Sequence, residues 1–272
     1  MCYSYIGDIV NKFNFKKKFG QNFLRNDNIV NSIVDKSNIQ EESLVIEVGP
    51  GQGALTKKLA KVAKNVICYE IDTDLEVPLI KLQKEYQNVY IHFCDFLESD
   101  IENDLKDYDY NHLYFISNVP YYITTPILMK IMSSNLKFEK IVMMVQKEVG
   151  DRFSAKPGNR EYSSITVFLN YFYDIKKLLN VSRNEFVPIP NVDSEVISFS
   201  LKEKKEMLKD EKLFFQLVRD SFKFKRKTIR NNLKKYNLQI IEQVLHEYGF
   251  DLNSRAEQIP FIVFVKISNA LC

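Results

Sequence analysis

The segment SLVIEVGPGQG, residues 43–53, decides the fold class of this chain. Its apolar run predicts a buried strand, and its glycines predict a tight turn directly after that strand. The next residues, ALTKKLAKVA, place Leu55, Leu59 and Val62 at helical spacing. A strand, a glycine turn and a helix in this order indicate the first unit of an α/β fold.

The alternation of strands and helices continues along the chain. Strands are predicted in NVICYEID (65–72), NVYIHFCDFL (88–97), HLYFISNVP (112–120), KIVMMVQ (140–146), FYDIKKLLNV (172–181) and SEVISFSLK (194–202), and helices in DLEVPLIKLQKEY (74–86) and TPILMKIMSS (125–134). Such alternation predicts a parallel sheet with helices on both faces. From about Leu201 the pattern is helical only, so we predict a first domain at residues 1–203 and a small helical C-terminal domain at residues 204–272.

Composition excludes several classes of protein. With 45% hydrophobic and 27% charged residues, the 272-residue chain is typical of globular proteins. Apolar runs are too short to span a bilayer, and we expect no secretory leader, so we predict a cytoplasmic protein without a membrane partner. The four cysteines and three histidines show no metal-ligand spacing, which predicts reduced thiols and no metal site.

The charge of the chain is concentrated at one end. Residues 201–272 hold 15 Lys and Arg against 9 Asp and Glu, a net charge of +6, whereas the remaining residues carry a net charge of −3. This asymmetry indicates a basic module that could meet a polyanion.

The glycine turn alone leaves its ligand open. Gly49, Gly51 and Gly53 would let the backbone approach a ligand closely, and Gly49, Gly51 and Ala54 also satisfy the dinucleotide fingerprint GxGxxG/A. A structural turn without a ligand is a third interpretation.

Three acids at the ends of successive strands favour S-adenosylmethionine over a dinucleotide. Glu47, just before the glycines, would complement the cationic amino-acid part of the cofactor but would repel a pyrophosphate. Glu70 would accept the ribose hydroxyls, a role that would equally serve NAD. Asp95 would accept a hydrogen bond from the adenine amino group. The carboxyl ends of such strands line one crevice.

The stretch SNVPYYITTP, residues 117–126, follows the fourth strand into the same crevice. An adenine amino group is a weak nucleophile, and it gains reactivity when acceptors bind its two N–H groups. The Asn118 oxygen and the carbonyl of Val119 or Pro120 would be those acceptors, with Pro120 fixing the local backbone. Tyr121 would stack on the base. Tyr122 is expected in the core or as support, and a simple capped turn is the alternative interpretation of the whole stretch.

An ordered series of motifs carries a family resemblance. It comprises KKFGQNFL (17–24), IEVGPGQGALT (46–56), YEID (69–72), CDF (94–96), SNVPYYITTPIL (117–128), MVQKEVGDR (144–152), YSSITVF (162–168), FVPIPNVDS (186–194), FKRKTIRNNL (224–233) and RAEQI (255–259). The series resembles the rRNA adenine N6-dimethyltransferases, and most closely the bacterial small-subunit (16S) type.

The resemblance implies a Rossmann-like, class I S-adenosylmethionine-dependent methyltransferase domain and a small helical C-terminal domain. It implies that two adjacent adenines near the 3′ end of 16S rRNA are each dimethylated, within the small subunit or its precursor, as part of ribosome biogenesis. It also implies that Asn22 and Leu24 contact the cofactor together with Gly49, Glu70, Asp95 and Asn118. Phe186 is a candidate second aromatic face opposite Tyr121, with a buried core position as its alternative.

Basic residues are expected to hold the RNA. Residues 219–235 carry eight Lys and Arg against one Asp. On a helix, Phe222, Ile229 and Leu233 would share a face and leave the basic residues outward, a pattern suited to RNA phosphates. Lys16–Lys18 are expected to form a second basic cluster beside the cofactor entrance, with Arg152 and Arg160 as candidates for the same surface. Solvated basic residues without a ligand are the alternative interpretation of both clusters.

Three other functions stay open. They are a 23S rRNA methyltransferase that confers macrolide resistance, a non-catalytic RNA-binding assembly factor, and an NAD-dependent oxidoreductase. Three stretches resemble the 16S type more than the 23S type, namely GDRFSAKPGNREYSSITVF (150–168), PNVDS (190–194) and FKRKTIRNNL (224–233). A monomer is the expected oligomeric state.

Overall fold

The computed structural model describes residues 22–203 and 206–272. The strands in this part of the chain are β1 (Phe23–Leu24), β2 (Ser43–Val48), β3 (Asn65–Tyr69), β4 (Val89–His92), β5 (His112–Ser117), β6 (Lys140–Gln146), β7 (Tyr173–Val181), β8 (Phe186–Val187) and β9 (Ser194–Leu201). The seven-stranded sheet has the order β4-β3-β2-β5-β6-β9-β7, and β1 pairs with β8 in a separate antiparallel pair. The strands from β4 to β6 in this order are parallel to their neighbours, as the alternating pattern predicts.

The α-helices of the described residues lie mostly between the strands. They are α1 (Asp27–Ser37), α2 (Thr56–Leu59), α3 (Glu76–Glu85), α4 (Ile101–Leu105), α5 (Thr124–Ser133), α6 (Lys147–Phe153), α7 (Ser164–Phe172), α8 (Glu211–Ser221), α9 (Ile229–Asn232), α10 (Leu238–Glu247) and α11 (Phe261–Leu271). Helix α1 contacts β6, α2 contacts β3 and α3 contacts β4. The α/β class with helices on both faces of the sheet is confirmed.

Strand β2 lies in the middle of the parallel strands because its side chains are apolar on both faces. All six of its residues are buried, and Ile46 lies in register with Ile67 of β3 and Phe115 of β5. These three side chains have no exposed surface. A strand that is covered on both faces needs this continuous apolar run, which is why SLVIEV identifies the sheet from sequence.

The described residues pack as two compact units. One holds residues up to 146 together with 179–196, and the other holds 147–178 together with 197–272. The first contains the parallel strands, and the second contains α6, α7 and the C-terminal helices. The domain limits 1–203 and 204–272 stay a prediction.

The helix expected after the glycine turn is shorter than its pattern indicates. Only Thr56–Leu59 is α-helical, although helix-like hydrogen bonds continue through Ala60 and Ala63. Leu55 and Leu59 are buried as expected, but Val62 is 46% exposed and the smaller Ala63 takes the inward position. The chain forms turns after Leu59, so the residue that faces inward is no longer the one that regular helical spacing predicts.

The prediction of one helix over residues 219–235 is wrong. Helix α8 ends at Ser221, and the helix of the following segment, α9, spans only four residues. The side-chain amide of Asn232 donates to the carbonyls of Ser221, at 2.7 Å, and Phe224, at 3.3 Å, while its oxygen accepts from the Phe224 N–H. One side chain therefore satisfies backbone groups that a continuous helix would pair internally.

The apolar residues of that segment still face inward. Ile229 and Leu233 are fully buried, and Phe222 packs against Phe264 with the ring centres 5.8 Å apart. The basic residues of 219–235 are all exposed, as predicted. These apolar side chains are therefore buried by a segment that turns, and not by one face of a continuous helix.

No helix in residues 22–203 and 206–272 is both long enough and apolar enough to cross a membrane. The same residues contain no cluster of three or more His, Cys, Asp or Glu side chains able to hold a metal ion.

Replacing Gly53 by Ala tests the packing of the glycine turn on α3. A Cβ at Gly53 would lie 2.1 Å from Leu82 Cδ1, whereas a Cβ at Gly49 would lie 3.6 Å from Pro120 Cδ, an ordinary contact. Both glycines have positive φ, so G49A and G53A share a backbone cost of about 1 kcal/mol. We expect G53A to lose a further 1–3 kcal/mol, roughly, through overpacking around the buried Leu82.

Urea unfolding of the cofactor-free variants, followed by circular dichroism, measures this difference. G49A is the matched control, because it lies in the same turn and has a similar φ. Equal losses of unfolding free energy in the two variants would contradict the packing argument.

Candidate active site

A cleft of about 930 Å³ opens where β2, β3, β4 and β5 end. These strands are parallel, so their carboxyl ends meet at one edge of the sheet. Nine of the twelve predicted site residues line the cleft, namely Asn22, Leu24, Glu47, Gly49, Gly51, Glu70, Asp95, Asn118 and Pro120. The sequence motifs are thus brought together in one place, although they are spread over about a hundred residues.

The glycine turn is held against the end of β3 by two hydrogen bonds. The Gly49 N–H donates to the Tyr69 carbonyl at 2.8 Å, and the Gly51 N–H donates to Glu70 Oε2 at 3.2 Å. A Cβ at Gly51 would come within 2.7 Å of Phe23 Cε1, so only glycine leaves room for the ring of Phe23. The turn is therefore a fixed wall of the cleft.

Glu70 binds the backbone with both carboxylate oxygens. Oε2 accepts from Gly51 and Oε1 accepts from the Asp72 N–H at 2.9 Å. The side chain is buried, and burial raises the pKa of its carboxyl, while the two N–H groups act in the opposite direction. Each oxygen retains a second lone pair for a ligand hydroxyl, which is compatible with the predicted ribose contact.

Glu47 lies beneath the turn with 2% of its surface exposed. Its Oε2 accepts from Thr56 Oγ1 at 2.7 Å and faces the thiol of Cys68 at 3.7 Å. Burial raises the pKa of Glu47 to about 8, and the nearby Glu70 carboxylate raises it further. At neutral pH the carboxyl is therefore mainly protonated until a cation faces it.

Asp95 accepts a hydrogen bond from the Leu97 N–H through Oδ1, at 2.8 Å. Leu97, Phe96 and Ile71 line the cleft beside the two strand-end acids, and Ile71 is 45% exposed. These apolar residues were not predicted as site residues. The sequence does offer a way to find them. Each lies one or two residues after an acid at the end of a strand, so apolar side chains line the cleft next to the acidic ones.

Asn118 is half-buried at the end of β5. Its side-chain Nδ2 donates to the Asn22 carbonyl in a long hydrogen bond of 3.5 Å, and Oδ1 is the acceptor atom of the same amide. Ser117 Oγ donates to the Val48 carbonyl, and Pro120 lies against Gly49. The Asn118 motif is thus tied directly to the glycine turn.

The sequence predicts that Tyr121 faces the ligand and that Tyr122 is a supporting residue, but in the structure Tyr122 is the one that lines the cleft. Tyr122, expected in the core or as support, is 58% exposed and lines the cleft. Tyr121 is only partly exposed and does not line the cleft, because its hydroxyl is hydrogen-bonded to Ser194 Oγ at 2.7 Å. The tight turn Tyr121–Ile123 directs successive side chains in different directions, which the sequence does not indicate.

Two other predicted residues lie outside the cleft wall. Phe186 is fully buried in β8, where it pairs with Leu24 of β1. It presents no face to the cleft in this structure, in agreement with the core alternative, and its stacking role stays a prediction. Gly53 lies behind the turn, against Leu82.

Comparison with known proteins identifies the family. The family model described as "Ribosomal RNA adenine dimethylase" matches residues 12–271. A relative from Bacillus mycoides (strain KBAB4), named "Ribosomal RNA small subunit methyltransferase A", is 42% identical over 97% of this chain and 94% of its own length. A relative of the same name from Bacillus cereus (strain B4264) shows the same identity and coverage.

The chain belongs to the ribosomal RNA adenine dimethylase family. It is an enzyme that dimethylates adenine in rRNA with S-adenosylmethionine as the methyl donor.

Solved structures agree with this membership. The chain is similar to a dimethyladenosine transferase from Plasmodium falciparum, with a TM-score of 0.76, 27% identity and coverage of 90% of this chain and 95% of the other. It is also similar to the 23S rRNA methyltransferase ErmE, with a TM-score of 0.75, 23% identity and coverage of 92% and 99%. The second likeness shows the fold alone.

The residues of the cleft fit S-adenosylmethionine, which supplies a methyl group on a cationic sulfur. The hydrogen-bond donors to Glu47 are Thr56 and Cys68, and those to Glu70 include the backbone of Gly51 and Asp72, so both buried carboxyls could complement a cationic ligand in the cleft. Ile71 and Phe96 supply apolar surface next to Asp95, as a flat base requires. The chemistry of this cleft is thus compatible with the cofactor of the dimethylase family.

The raised pKa of Glu47 makes the stability of the dimethylase depend on pH. The folded pKa of about 8 lies above the ordinary value of 4.5. The folded state therefore holds the proton more tightly than the unfolded chain, and this stabilisation is complete below pH 4.5 and lost as pH rises toward 8. We expect E47Q, which is neutral at every pH, to exceed the wild type in unfolding free energy at pH 8 by on the order of 3 kcal/mol.

Urea unfolding at pH 5 and pH 8, without cofactor, measures this change. The two proteins should differ little at pH 5. E98Q, which neutralises an exposed carboxyl, is the control and should follow the wild type at both values. A difference between E47Q and the wild type that is the same at pH 5 and pH 8 would rule out the burial of an ionisable carboxyl as its cause.

Proposed function

We propose that this dimethylase transfers two methyl groups to N6 of each of two adjacent adenines near the 3′ end of small-subunit (16S) rRNA. The relatives that are 42% identical are named small-subunit methyltransferases, and they match almost the whole chain. The reaction serves the assembly of the small ribosomal subunit. The protein acts as a monomer in the cytoplasm, on the subunit or its precursor.

The orientation of the Asn118 amide carries the proposed mechanism. Because Nδ2 is bound to the Asn22 carbonyl, Oδ1 is the atom that accepts a hydrogen bond from the N6 amino group. The carbonyl of Val119 or Pro120 accepts the second N–H. These bonds strengthen as the nitrogen becomes tetrahedral, so they lower the barrier more than they tighten substrate binding.

The remaining predicted residues hold the two ligands. Pro120 fixes the backbone that carries the second acceptor, and Tyr121 stacks on the adenine after rotating from its hydrogen bond with Ser194. Phe186, which is buried in β8, stays the candidate for the opposite aromatic face. Asn22 and Leu24, with Glu47, the three glycines Gly49, Gly51 and Gly53, Glu70 and Asp95, bind S-adenosylmethionine.

Asn118→Ala tests the mechanism. We expect kcat for methyl transfer from labelled S-adenosylmethionine to under-methylated small subunits to fall roughly 10²–10³-fold, because an acceptor that acts in the transition state is lost. The Asn118 amide lies beside the cofactor, so the cofactor Kd is measured in parallel to separate weakened binding from weakened chemistry.

Asn111→Ala is the matched control, since Asn111 is exposed on the same unit and away from the cleft. It should transfer methyl groups at the wild-type rate. An N118A enzyme with wild-type kcat would refute the proposed acceptor.

We further propose that residues 219–235 bind RNA phosphates. Their eight basic side chains are exposed on a turn-rich segment, and Phe224 is 56% exposed among them with Lys223 Nζ 5.6 Å from its ring centre. Arg152 and Arg160 are exposed on the same unit. Lys16–Lys18 lie outside the described residues. Such a surface gives affinity and register rather than sequence discrimination.

Lys225→Ala measures one phosphate contact. We expect the affinity for small-subunit RNA to fall several-fold and the salt dependence of binding, as the slope of log K against log salt, to weaken by about 1. Lys212→Ala, at another exposed lysine of the same unit, should leave both unchanged. Equal effects of the two variants would show that the segment contributes only general charge.

A further inference from the structure

The turn after β4 places Asp95 at the cleft through a network of local hydrogen bonds. Asp95 Oδ1 accepts from the Leu97 N–H at 2.8 Å, and the Asp95 carbonyl accepts from the Glu98 N–H at 3.0 Å. Ser99 Oγ donates to the Phe96 carbonyl at 2.8 Å. The carbonyls of Leu97 and Ser99 belong to the same turn and are bound by a side chain from outside it.

Lys130 of α5 binds both of these carbonyls. Its ammonium donates to Leu97 at 3.0 Å and to Ser99 at 2.5 Å, and it lies 5.4 Å from the ring centre of Phe96. A lysine on a helix more often extends into solvent than converges on backbone carbonyls. Here the side chain is half-buried, and two of its three donors have partners in one short turn.

The backbone of Leu97 is therefore held through both of its polar groups. Its N–H is bound by the Asp95 carboxylate, and its carbonyl is bound by Lys130. The ring of Phe96, between these two residues, packs on Tyr69 with centres 5.1 Å apart. With Oδ1 occupied by Leu97, the second oxygen of Asp95 has a fixed direction, and Leu97 itself lines the cleft.

We propose that Lys130 is a positioning residue for the adenine of the cofactor. It holds the 95–99 turn by its carbonyls so that Asp95 Oδ2 is aimed at the adenine amino group. This inference rests on the proposed role of Asp95 as the adenine acceptor. Helix α5 also follows the Asn118 motif directly, so one helix supports the pockets of both adenines, that of the cofactor and that of the substrate.

Calorimetric titration with S-adenosylhomocysteine tests the proposal on the full chain. We expect K130M to raise the Kd about 10-fold, because the turn loses its two carbonyl contacts while most of the apolar part of the side chain is kept. K130R, which can still donate to both carbonyls, should return the Kd to within about 3-fold of the wild type. K137M, at an exposed lysine of the same unit, should bind as the wild type does.

Steady-state kinetics separate positioning from general damage. K130M should raise the KM for S-adenosylmethionine about 10-fold while kcat at saturating cofactor stays within about 2-fold of the wild type. If circular dichroism shows that K130M is unfolded, K130Q replaces it with the same expected outcomes. A fall in kcat without a change in KM would overturn the proposal.

The variant D95A tests the role of Lys130 separately from the proposed adenine contact of Asp95. D95A should weaken binding, and the double variant D95A/K130M should bind no more weakly than D95A, because Lys130 acts through Asp95. A wild-type Kd for K130M beside a weakened D95A would overturn the role of Lys130 and leave that of Asp95. Additive losses would also overturn it. A wild-type Kd for D95A would refute both roles.

Discussion

The hydrogen bond from the Gly51 N–H to the Glu70 carboxylate is the interaction on which the rest of the site depends. It joins the turn after β2 to the end of β3, and the second oxygen of the same carboxylate binds the Asp72 N–H, so one buried side chain holds the backbone of two turns at the edge of the cleft. The neighbouring contacts extend the same edge, because Gly49 lies against Pro120 and the Ser117 hydroxyl binds the Val48 carbonyl. The glycine turn and the Asn118 motif are therefore in direct contact.

Burial of acids at this edge has an electrostatic consequence. Glu47 and Glu70 are held close together with little solvent, and burial raises the pKa of both. A bound sulfonium or ammonium close to these carboxyls would favour their ionised forms. Asn118 lines the same cleft with a neutral side chain, and as the proposed acceptor it would suit an amine that stays uncharged until the methyl group arrives. No strong base is needed there, because the nitrogen becomes acidic once it is alkylated.

Much of this arrangement is predictable from the sequence, and the failures have local causes. The buried strands β2 to β6, the glycine turn and the three strand-end acids follow from apolar runs and from the rule that parallel strands end at one edge. The break in residues 219–235 depends on the Asn232 amide, which binds backbone groups eight and eleven residues before it. The exposure of Tyr122 and the burial of Phe186 depend on a short turn and on a pairing between β1 and β8, which no local pattern encodes.

Mapping of the methylated nucleotides tests the account most directly. The full chain is incubated with labelled S-adenosylmethionine and ribosomal subunits from cells that lack it, and each rRNA is digested and sequenced by mass spectrometry. The account predicts N6,N6-dimethyladenosine at two adjacent adenines near the 3′ end of small-subunit rRNA, with four methyl groups transferred per subunit. Label confined to 23S rRNA, or methyl groups on an atom other than N6, would contradict it.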